Sequence, residues 1–250
     1  MNAMHGPILR TCFALTGFLV ASAASAGVVI EGTRVIFNEG MAEATLRVGN
    51  PGTAPVLLQS WVDTLEEAAT PTTTKAPFVL LPPISRVEAG KSQVLRMKLA
   101  AGELPRDQES AFWLNVLEVP AIKIEKEQID GYLQVTVRNR LKIFYRPKGL
   151  SASGAGKAPA GVQWSVVPHG NGVALQAKND SAYHVNMVKA WLVEGNKESE
   201  AEGMQMLLPY SSTTFKVPGP VRMPANATLK VRYINDFGGV VNTTMPLSMP

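Results

Sequence analysis

The sequence predicts an all-β protein built from two β-sandwich domains, and three observations support this fold class. Short runs in which apolar and polar residues alternate recur along the chain, and turn-forming Gly, Pro, Asn and Asp residues separate them. Helical periodicity is nearly absent. The chain has 250 residues, which is enough for two sandwiches of about 100 residues each.

The N-terminal segment has the composition of a cleavable secretory signal peptide. Arg10 precedes an apolar stretch that is too short to cross a bilayer, and the small residues Ala24-Ser25-Ala26 follow it. A basic start, a short apolar core and small residues at the cleavage position are the three parts of such a peptide. We expect residues 1–26 to be removed, so that the mature chain begins at Gly27. An uncleaved membrane anchor is the alternative.

The cysteine content and the charge of the chain indicate which compartment it enters and which partners it is expected to bind. Cys12 is the only cysteine and lies inside the predicted signal peptide, so the mature chain would enter an oxidising compartment without disulfides. The net charge of the full chain is +4, and the loss of Arg10 lowers it to +3. The basic residues are scattered and no nucleic-acid reader motif is present, so nucleic acid is not an expected partner. No stretch after residue 26 is apolar enough for stable membrane insertion.

Seven candidate strands fill the predicted first domain, residues 27–147. Turn signals such as NPGTAP, EAGK and LPRDQES separate them. In chain order, the runs are GVVIEGTRVIF, ATLRVGN, VLLQSWVD, FVLLPP, SQVLRMKL, AFWLNVLEVP and YLQVTVRNRLKIFYRP.

The predicted second domain covers residues 148–250. It opens with KGLSASGAGKAPAG, residues 148–161, which is rich in Gly, Ala and Ser and lacks strand periodicity. This composition predicts a linker or a long turn. Strand-like runs follow it, in the order VQWSVVP, VALQAKN, HVNMVKAWLV, QMLLP, STTFKVP, TLKVRYIND and VVNTTMPL.

Residue patterns typical of catalytic or metal sites are nearly absent. After processing, the histidines are His169 and His184, and neither has a Cys, His or acidic neighbour at ligand spacing. The stretch SASGAGKA lacks both the first glycine and the final Ser or Thr of a phosphate-binding loop. No G-x-S-x-G nucleophile motif is present. We therefore expect no enzyme activity, no metal and no other cofactor.

The last strand of the first predicted domain carries apolar and basic residues on opposite faces. By strict alternation, Leu133, Val135 and Val137 share one face. The other face carries the basic residues Arg138, Arg140 and Lys142. A half-buried strand of an ordinary sandwich and an edge strand that receives a partner both fit this pattern.

Four motifs resemble those of the periplasmic pilus-assembly chaperones of the chaperone–usher pathway. They are RVIF at 34–37, LPRDQESAFWLNV at 104–116, LKIFYRP at 141–147 and YINDFGG at 233–239. Their order and spacing are those of the family, although the likeness is thinner in the second half. The resemblance implies two immunoglobulin-like β-sandwich domains in a boomerang arrangement. It also implies a periplasmic chaperone whose partners are pilus or fimbrial subunits and an outer-membrane usher.

The resemblance further implies roles for individual residues. In this family, the strand before the linker pairs with a pilus subunit that lacks its own last strand, which makes Leu133, Val135 and Val137 the expected donor strand. Arg34 and Lys142 match the basic pair that holds the subunit's C-terminal carboxylate. We expect Lys142 to make no contact within the unbound chain, so that its loss would leave the fold intact.

Two more features follow from the resemblance. Glu109, Arg146 and Asp236 fall where the family has an ion network between its domains. The charged loop from Pro120 to Gly131 has twelve residues, which resembles the short-loop chaperones. One departure is the absence of cysteine from the mature chain, because many relatives have a disulfide in the second domain.

Two other classes of protein remain as alternatives. A pilus subunit or adhesin would be shorter, would lack one strand in each domain and would usually carry a cysteine pair. A secreted carbohydrate-binding or hydrolytic sandwich would need clustered exposed aromatic residues or paired carboxylates. The four tryptophans lie in separate predicted strands, as core residues would; they are Trp61, Trp113, Trp164 and Trp191.

Overall fold

The structure is a computed structural model that describes residues 27–65, 70–100, 102–121, 135–219 and 227–248. These residues form two β-sandwiches, each with its own buried core, and one short α-helix. The predicted all-β fold class is therefore confirmed. Within the described ranges, no helix is both long and apolar enough to cross a membrane.

The first sandwich consists of two sheets. One sheet has the spatial order β1 (Val29–Ile30), β3 (Ala44–Gly49), β7 (Ser92–Leu99) and β5 (Phe78–Leu81). The other has the order β2 (Arg34–Asn38), β9 (Val137–Arg146), β8 (Ser110–Pro120), β4 (Val56–Thr64) and β6 (Ile84–Val87).

The core of the first sandwich follows from the two-residue period of its strands. Leu46 on β3 and Leu95 on β7 point inward from one sheet, and Leu58, Leu114 and Ile143 point inward from the other. Each of these side chains is almost fully buried. Burial of a side chain of this size contributes about 1.5–3 kcal/mol, so these alternating rows fix which face of each strand is internal.

The second sandwich also consists of two sheets. One has the order β10 (Gln163–His169), β11 (Gly172–Asn179) and β15 (Ser211–Lys216). The other has the order β13 (Lys197–Glu200), β12 (Val185–Glu194), β16 (Thr228–Ile234) and β17 (Val240–Met245), with β14 (Met206–Leu207) also paired to β12. Its core contains Trp164, Leu175, Leu192, Leu207 and Leu229.

The segment between the sandwiches is helical, which corrects the prediction of a linker or turn over residues 148–161. Helix α1 (Ala152–Lys157) is followed by a 3₁₀ helix (Ala158–Gly161). Ser151 caps α1, because its Oγ accepts a hydrogen bond from the backbone N–H of Gly154 at 3.0 Å. The six-residue helix is too short for helical periodicity to be visible in the sequence.

One strand prediction also needs correction, and two strands lie outside the predicted runs. The run GVVIEGTRVIF forms two strands, β1 and β2, which belong to different sheets. The chain changes sheets around Gly32, whose φ of +122° is easily accessible only to glycine. Strands β6 and β13 were not predicted; the sequence of β13 is KESE, and it forms by pairing its backbone with β12.

Three sequence predictions fall outside the described residues. They are the signal peptide at residues 1–26, Leu133 of the expected donor strand, and all but the first two residues of the predicted loop from Pro120 to Gly131.

Candidate functional site

One edge of β9 is open over half of its length. On one side, β9 pairs antiparallel with β8 from Val137 to Tyr145. On the other side, β2 pairs parallel with β9 only from Lys142 to Arg146. Among the described strands, none pairs with this second side of residues 137–141. The backbone N–H and C=O groups there are available to an incoming strand.

The open edge carries exposed apolar side chains. Val137 is 45% exposed, and Val135, which directly precedes β9, is 63% exposed. Further along the same face, Leu141 and Ile143 are buried in the core of the first sandwich. A long apolar edge of this kind favours pairing with another chain.

Arg34 and Lys142 lie side by side where the open edge meets β2. They are partners in the parallel register of β2 and β9, so their side chains share one face of the sheet. Nζ of Lys142 donates a hydrogen bond to Oδ1 of Asn186 in the second sandwich at 2.8 Å. Nε and Nη1 of Arg34 are buried and have no hydrogen-bond acceptor among the described residues.

Both cations lie in an environment that disfavours their charge. Burial lowers the pKa of Lys142 to about 8, and the positive charge of Arg34 acts in the same direction. Burial also lowers the pKa of Arg34, although the negative charge of Asp236 opposes this shift. An anion placed between the two side chains would relieve both effects, so the pair is suited to bind a carboxylate.

The contact between Lys142 and Asn186 corrects our expectation that Lys142 touches nothing in the unbound chain. Lys142 also lies 5.6 Å from the ring centroid of Trp113. Together these residues line a cleft of about 540 Å³ between the sandwiches, with Met187 and Met206 on its other wall. The lysine therefore takes part in the contact between the two domains.

A buried ion network also joins the two sandwiches. Nη2 of Arg146 lies 2.6 Å from Oε1 of Glu109 and 2.9 Å from Oδ2 of Asp236. Glu109 belongs to the first sandwich, and Oε2 of its carboxylate accepts a hydrogen bond from the backbone N–H of His184 at 2.9 Å. The structure thus brings the three residues of the expected network together and adds His184.

The electrostatics of this network favour the charged forms of Glu109 and Arg146. Burial alone would raise the pKa of Glu109, but hydrogen bonds from His184 and the charge of Arg146 outweigh it, and the pKa is lowered. Burial alone would likewise lower the pKa of Arg146, but the carboxylates of Glu109 and Asp236 raise it overall.

His184 was not recognised as a member of the network from the sequence. Ligand spacing in the sequence indicates only acidic neighbours that are close along the chain, whereas Glu109 is 75 positions away. Nδ1 of His184 lies 3.4 Å from Oε2 of Glu109, and the ring packs against Phe144 with 5.6 Å between ring centroids. Because this contact crosses from one domain to the other, no local spacing could have indicated it.

The basic residues of β9 form a ladder with tryptophans on the outer face of the sheet. The guanidinium of Arg138 lies 4.7 Å from the ring centroid of Trp61, and that of Arg140 lies 4.6 Å from that of Trp113. Both arginines also pair with Asp63, at 3.1 Å and 3.2 Å, and the Asp63 side chain is fully buried. Charge pairing and cation–π contacts therefore fix this face of β9 to its own sheet.

This ladder corrects two sequence-based interpretations. Trp113 and Trp191 are only partly buried and lie outside the two cores, while Trp61 is buried beneath Arg138 rather than in the core. Trp164 does lie in a core, as predicted. The second interpretation was that the basic residues are scattered. On this face of the sheet, basic and aromatic side chains instead lie next to one another.

The described part of the chain shows no group of three or more His, Cys, Asp or Glu side chains that could hold a metal ion. The open edge of β9 and the two cations beside it are the features of the site that could bind a ligand.

Comparisons with known proteins agree with this architecture. The family model "Pili and flagellar-assembly chaperone, PapD N-terminal domain" matches residues 27–151, and "Pili assembly chaperone PapD, C-terminal domain" matches residues 157–245. The chain is 42% identical over 227 residues to the chaperone protein FimB/FhaD of Bordetella pertussis, a match that covers 88% of each protein.

Two solved structures extend the comparison. The crystal structure of the YadV chaperone, a protein of Escherichia coli, has a TM-score of 0.74 at 33% identity, with 88% of this chain and 98% of that chain covered. A chain from the complex of Salmonella enterica SafA pilin with the SafB chaperone has a TM-score of 0.68 at 27% identity, with 88% and 94% covered.

Two β-sandwiches that meet at a basic cleft, with an open strand edge beside it, define a class of non-enzymatic, two-domain assembly chaperones. The chain belongs to the PapD family of pilus-assembly chaperones. The family resemblance drawn from the sequence motifs and the prediction that the protein is not an enzyme are both confirmed. Membership in this family also removes the alternatives of a pilus subunit and of a carbohydrate-binding sandwich.

Proposed function

We propose that this protein is a periplasmic chaperone that stabilises pilus or fimbrial subunits by donor-strand complementation and delivers them to an outer-membrane usher. A signal peptide at residues 1–26 directs the chain to the periplasm, and the domains cover residues 27–147 and 148–250. The observation that carries this proposal is the open edge of β9, which ends beside Arg34 and Lys142.

Donor-strand complementation requires an edge that can complete the sheet of another protein. Residues 137–141 of β9 offer unpaired backbone groups on one side, and Val135 and Val137 are exposed. An incoming subunit would gain backbone hydrogen bonds along this edge and would bury these apolar side chains in its own core. Leu133 would extend the same row.

The basic pair supplies a fixed end point for the subunit. A terminal carboxylate placed between Arg34 and Lys142 would accept hydrogen bonds from both and would neutralise two partly buried charges. This anchor would also set the register, since a shift of one residue reverses the facing of every side chain along a strand.

The relatives support the choice of partner. The Salmonella enterica structure contains a pilin together with its chaperone, and the FimB/FhaD and YadV proteins carry chaperone names. The subunit-binding role comes to this chain by analogy with these proteins and by the geometry of the edge, and the delivery to an usher comes from the resemblance of the sequence motifs.

Lys142→Ala tests the proposed anchor. We expect the variant to fold but to bind a co-expressed subunit at least about 30-fold more weakly, because truncation of one partner of a desolvated charge pair typically costs about 2–5 kcal/mol. The measurement is recovery of the subunit with the tagged chaperone from the periplasm, followed by titration. The wild-type complex should withstand a metal chelator in buffer without nucleotide.

The matched control is Lys148→Ala, which removes an exposed lysine just after β9. Recovery equal to that of the wild-type protein is expected for this control. If Lys142→Ala recovers as much subunit as Lys148→Ala, the anchor proposal is wrong.

A further inference from the structure

A carboxylate lies at the mouth of the first sandwich with no side-chain counter-charge among the described residues. Glu118 ends the inward-facing row of β8 that begins with Phe112 and Leu114, and it is only 8% exposed. In the sheet it lies between Leu58 of β4 and Val137 of β9. Glu118 therefore lies where the space between the two sheets opens to solvent.

Among the described residues, one hydrogen bond reaches the Glu118 carboxylate, and it comes from the start of the predicted mature chain. Oε2 accepts the backbone N–H of Val28 at 2.8 Å. In the described part of the chain, no lysine, arginine or histidine side chain forms an ion pair with Glu118. A carboxylate withdrawn from water without a counter-charge is costly, so a cation at this position would stabilise the fold.

Gly27 lies directly against the same oxygen. A Cβ atom added to Gly27 would lie 2.5 Å from Oε2 of Glu118, closer than real side chains approach. Standard bond lengths then place the backbone nitrogen of Gly27 within about 5 Å of Oε2. Any other residue at this position would displace the carboxylate, whereas glycine allows the start of the predicted mature chain to approach it.

We propose that Glu118 is the binding site for the mature amino terminus of this chain, the α-ammonium group of Gly27. The inference rests on the proposed removal of residues 1–26. Hydrolysis of the Ala26–Gly27 peptide bond by water leaves a carboxylate on Ala26 and an ammonium on Gly27. Before cleavage this nitrogen is an uncharged amide, so the ion pair exists only in the processed chain.

The ion pair would couple processing to the donor edge. Val28 and β1 would be held against β8, and Glu118 pairs in register with Val137, the first residue of β9. The N-terminus of the processed chain would therefore close the end of the first sandwich at which the open edge begins. The precursor lacks this closure and is the less stable form.

A four-way comparison of purified full-length mature protein tests the proposal. One chain begins at Gly27 and a second has one additional serine before it, and each is made with Glu118 and with Glu118→Gln. Glutamine keeps the acceptor for the Val28 N–H but removes the charge. We expect the additional serine to lower Tm by about 2–4 °C with Glu118 and to leave Tm unchanged with glutamine.

Two further measurements separate the possible outcomes. Nα-acetylation of the Gly27 chain should reproduce the loss of Tm without any substitution, which keeps the test valid should Glu118→Gln fold poorly. Glu88→Gln, which removes an exposed carboxylate paired with Arg86, should preserve the effect of the serine. An equal loss of Tm in both Glu118 backgrounds, or no loss in either, overturns the proposal. Mass spectrometry of the secreted protein tests the cleavage position independently, because the chains above are made to begin at Gly27 in either case.

Discussion

At the residue scale, Lys142 combines a positive charge with an environment that weakens it. Burial and the neighbouring Arg34 bring its pKa to about 8, and its hydrogen bond to Asn186 is to a neutral group. Within the described part of the chain, Lys142 is therefore a cation without a carboxylate partner. A ligand carboxylate would supply that partner. The free energy of unfolding of the unbound protein and its affinity for the ligand should therefore change in opposite directions with pH.

The first prediction concerns these two pH responses. In the unfolded chain the pKa of Lys142 returns towards 10.5, so between pH 8 and that value the unfolded chain binds more protons than the folded one. The contribution of Lys142 to the free energy of unfolding therefore rises with pH across this window. Subunit affinity should fall over the same range, because the carboxylate requires the ammonium form.

Denaturant unfolding and subunit titration from pH 7 to about 10.5 measure these trends, with the window set by the reference pKa. Lys142→Gln is the control, since it should remove the Lys142 contribution from both profiles. Subunit affinity that holds constant or increases above pH 8 in the wild-type protein would contradict the prediction.

At the element scale, β9 presents different chemistry on its two faces and its two edges. One edge is paired with β8, while the other is open from residue 137 to residue 141. On the outer face, Arg138 and Arg140 are held by Asp63 and by the rings of Trp61 and Trp113. The strand is thus fixed from within its own sheet without use of the open edge.

The second prediction places a charge on the open edge. Val135→Glu should abolish subunit recovery, because an unpaired carboxylate would enter an apolar groove of the subunit. The free protein should unfold at an unchanged temperature, since Val135 is already 63% exposed. Thr136→Glu is the matched control, as this adjacent exposed residue has its side chain on the opposite face. Similar losses in both variants would argue against a side-chain-specific edge.

The third prediction concerns the ladder on the outer face. Asp63→Ala should lower the free energy of unfolding by about 1–3 kcal/mol, because it removes the buried acceptor of two arginines. The arginines are about one-third exposed and can be hydrated, which limits the cost. Denaturant unfolding measures the change, and Asp63→Asn should lose less because it keeps an acceptor. A fully stable Asp63→Ala protein would show that the ladder does not hold β9.

Local periodicity explains which elements could be predicted from the sequence. Strands such as β3 and β7 have a clear two-residue alternation because one face lies on the core. Strand β13 has no apolar residue and exists through backbone pairing with β12, and α1 depends on the cap from Ser151. Backbone pairing and capping of this kind do not change the pattern of apolar and polar residues, so that pattern could not predict these two elements.

The candidate site also has features that the sequence indicated and features that it did not. Motif resemblance indicated Arg34, Lys142 and the three members of the ion network before their positions were known. The contribution of His184, the link from Lys142 to Asn186 and the tryptophan ladder all depend on residues that are distant in sequence. Only the packing of the two domains and of neighbouring strands brings them together.

At the scale of the whole molecule, the Glu109–Arg146–Asp236 network bridges the two sandwiches. Arg146 is 2% exposed and lies between a carboxylate of each domain. Glu109 also binds the backbone of His184 in the second sandwich. These contacts hold the walls of the cleft in one relative position.

The fourth prediction is that Glu109→Ala lowers the free energy of unfolding by about 3 kcal/mol and changes the angle between the domains. Removal of one partner of a buried pair typically costs about 3–5 kcal/mol, and the remaining contact with Asp236 keeps the loss at the lower end. Thermal unfolding and small-angle X-ray scattering measure the two effects. Glu103→Ala, which removes an exposed carboxylate, is the control. If both measurements match the wild type, the network does not set the domain angle.

The way in which β2 ends the open edge has a consequence for what can bind there. Strand β2 lies alongside β9 and begins at Arg34, so it occupies the continuation of the position that an incoming strand would take. A strand bound on residues 137–141 in the proposed way would meet the start of β2 and would have to leave the sheet edge there. A polypeptide that ends at this point needs no such bend, so the proposed site would favour chain ends over interior segments. An identical sequence placed in the middle of another protein should therefore bind more weakly.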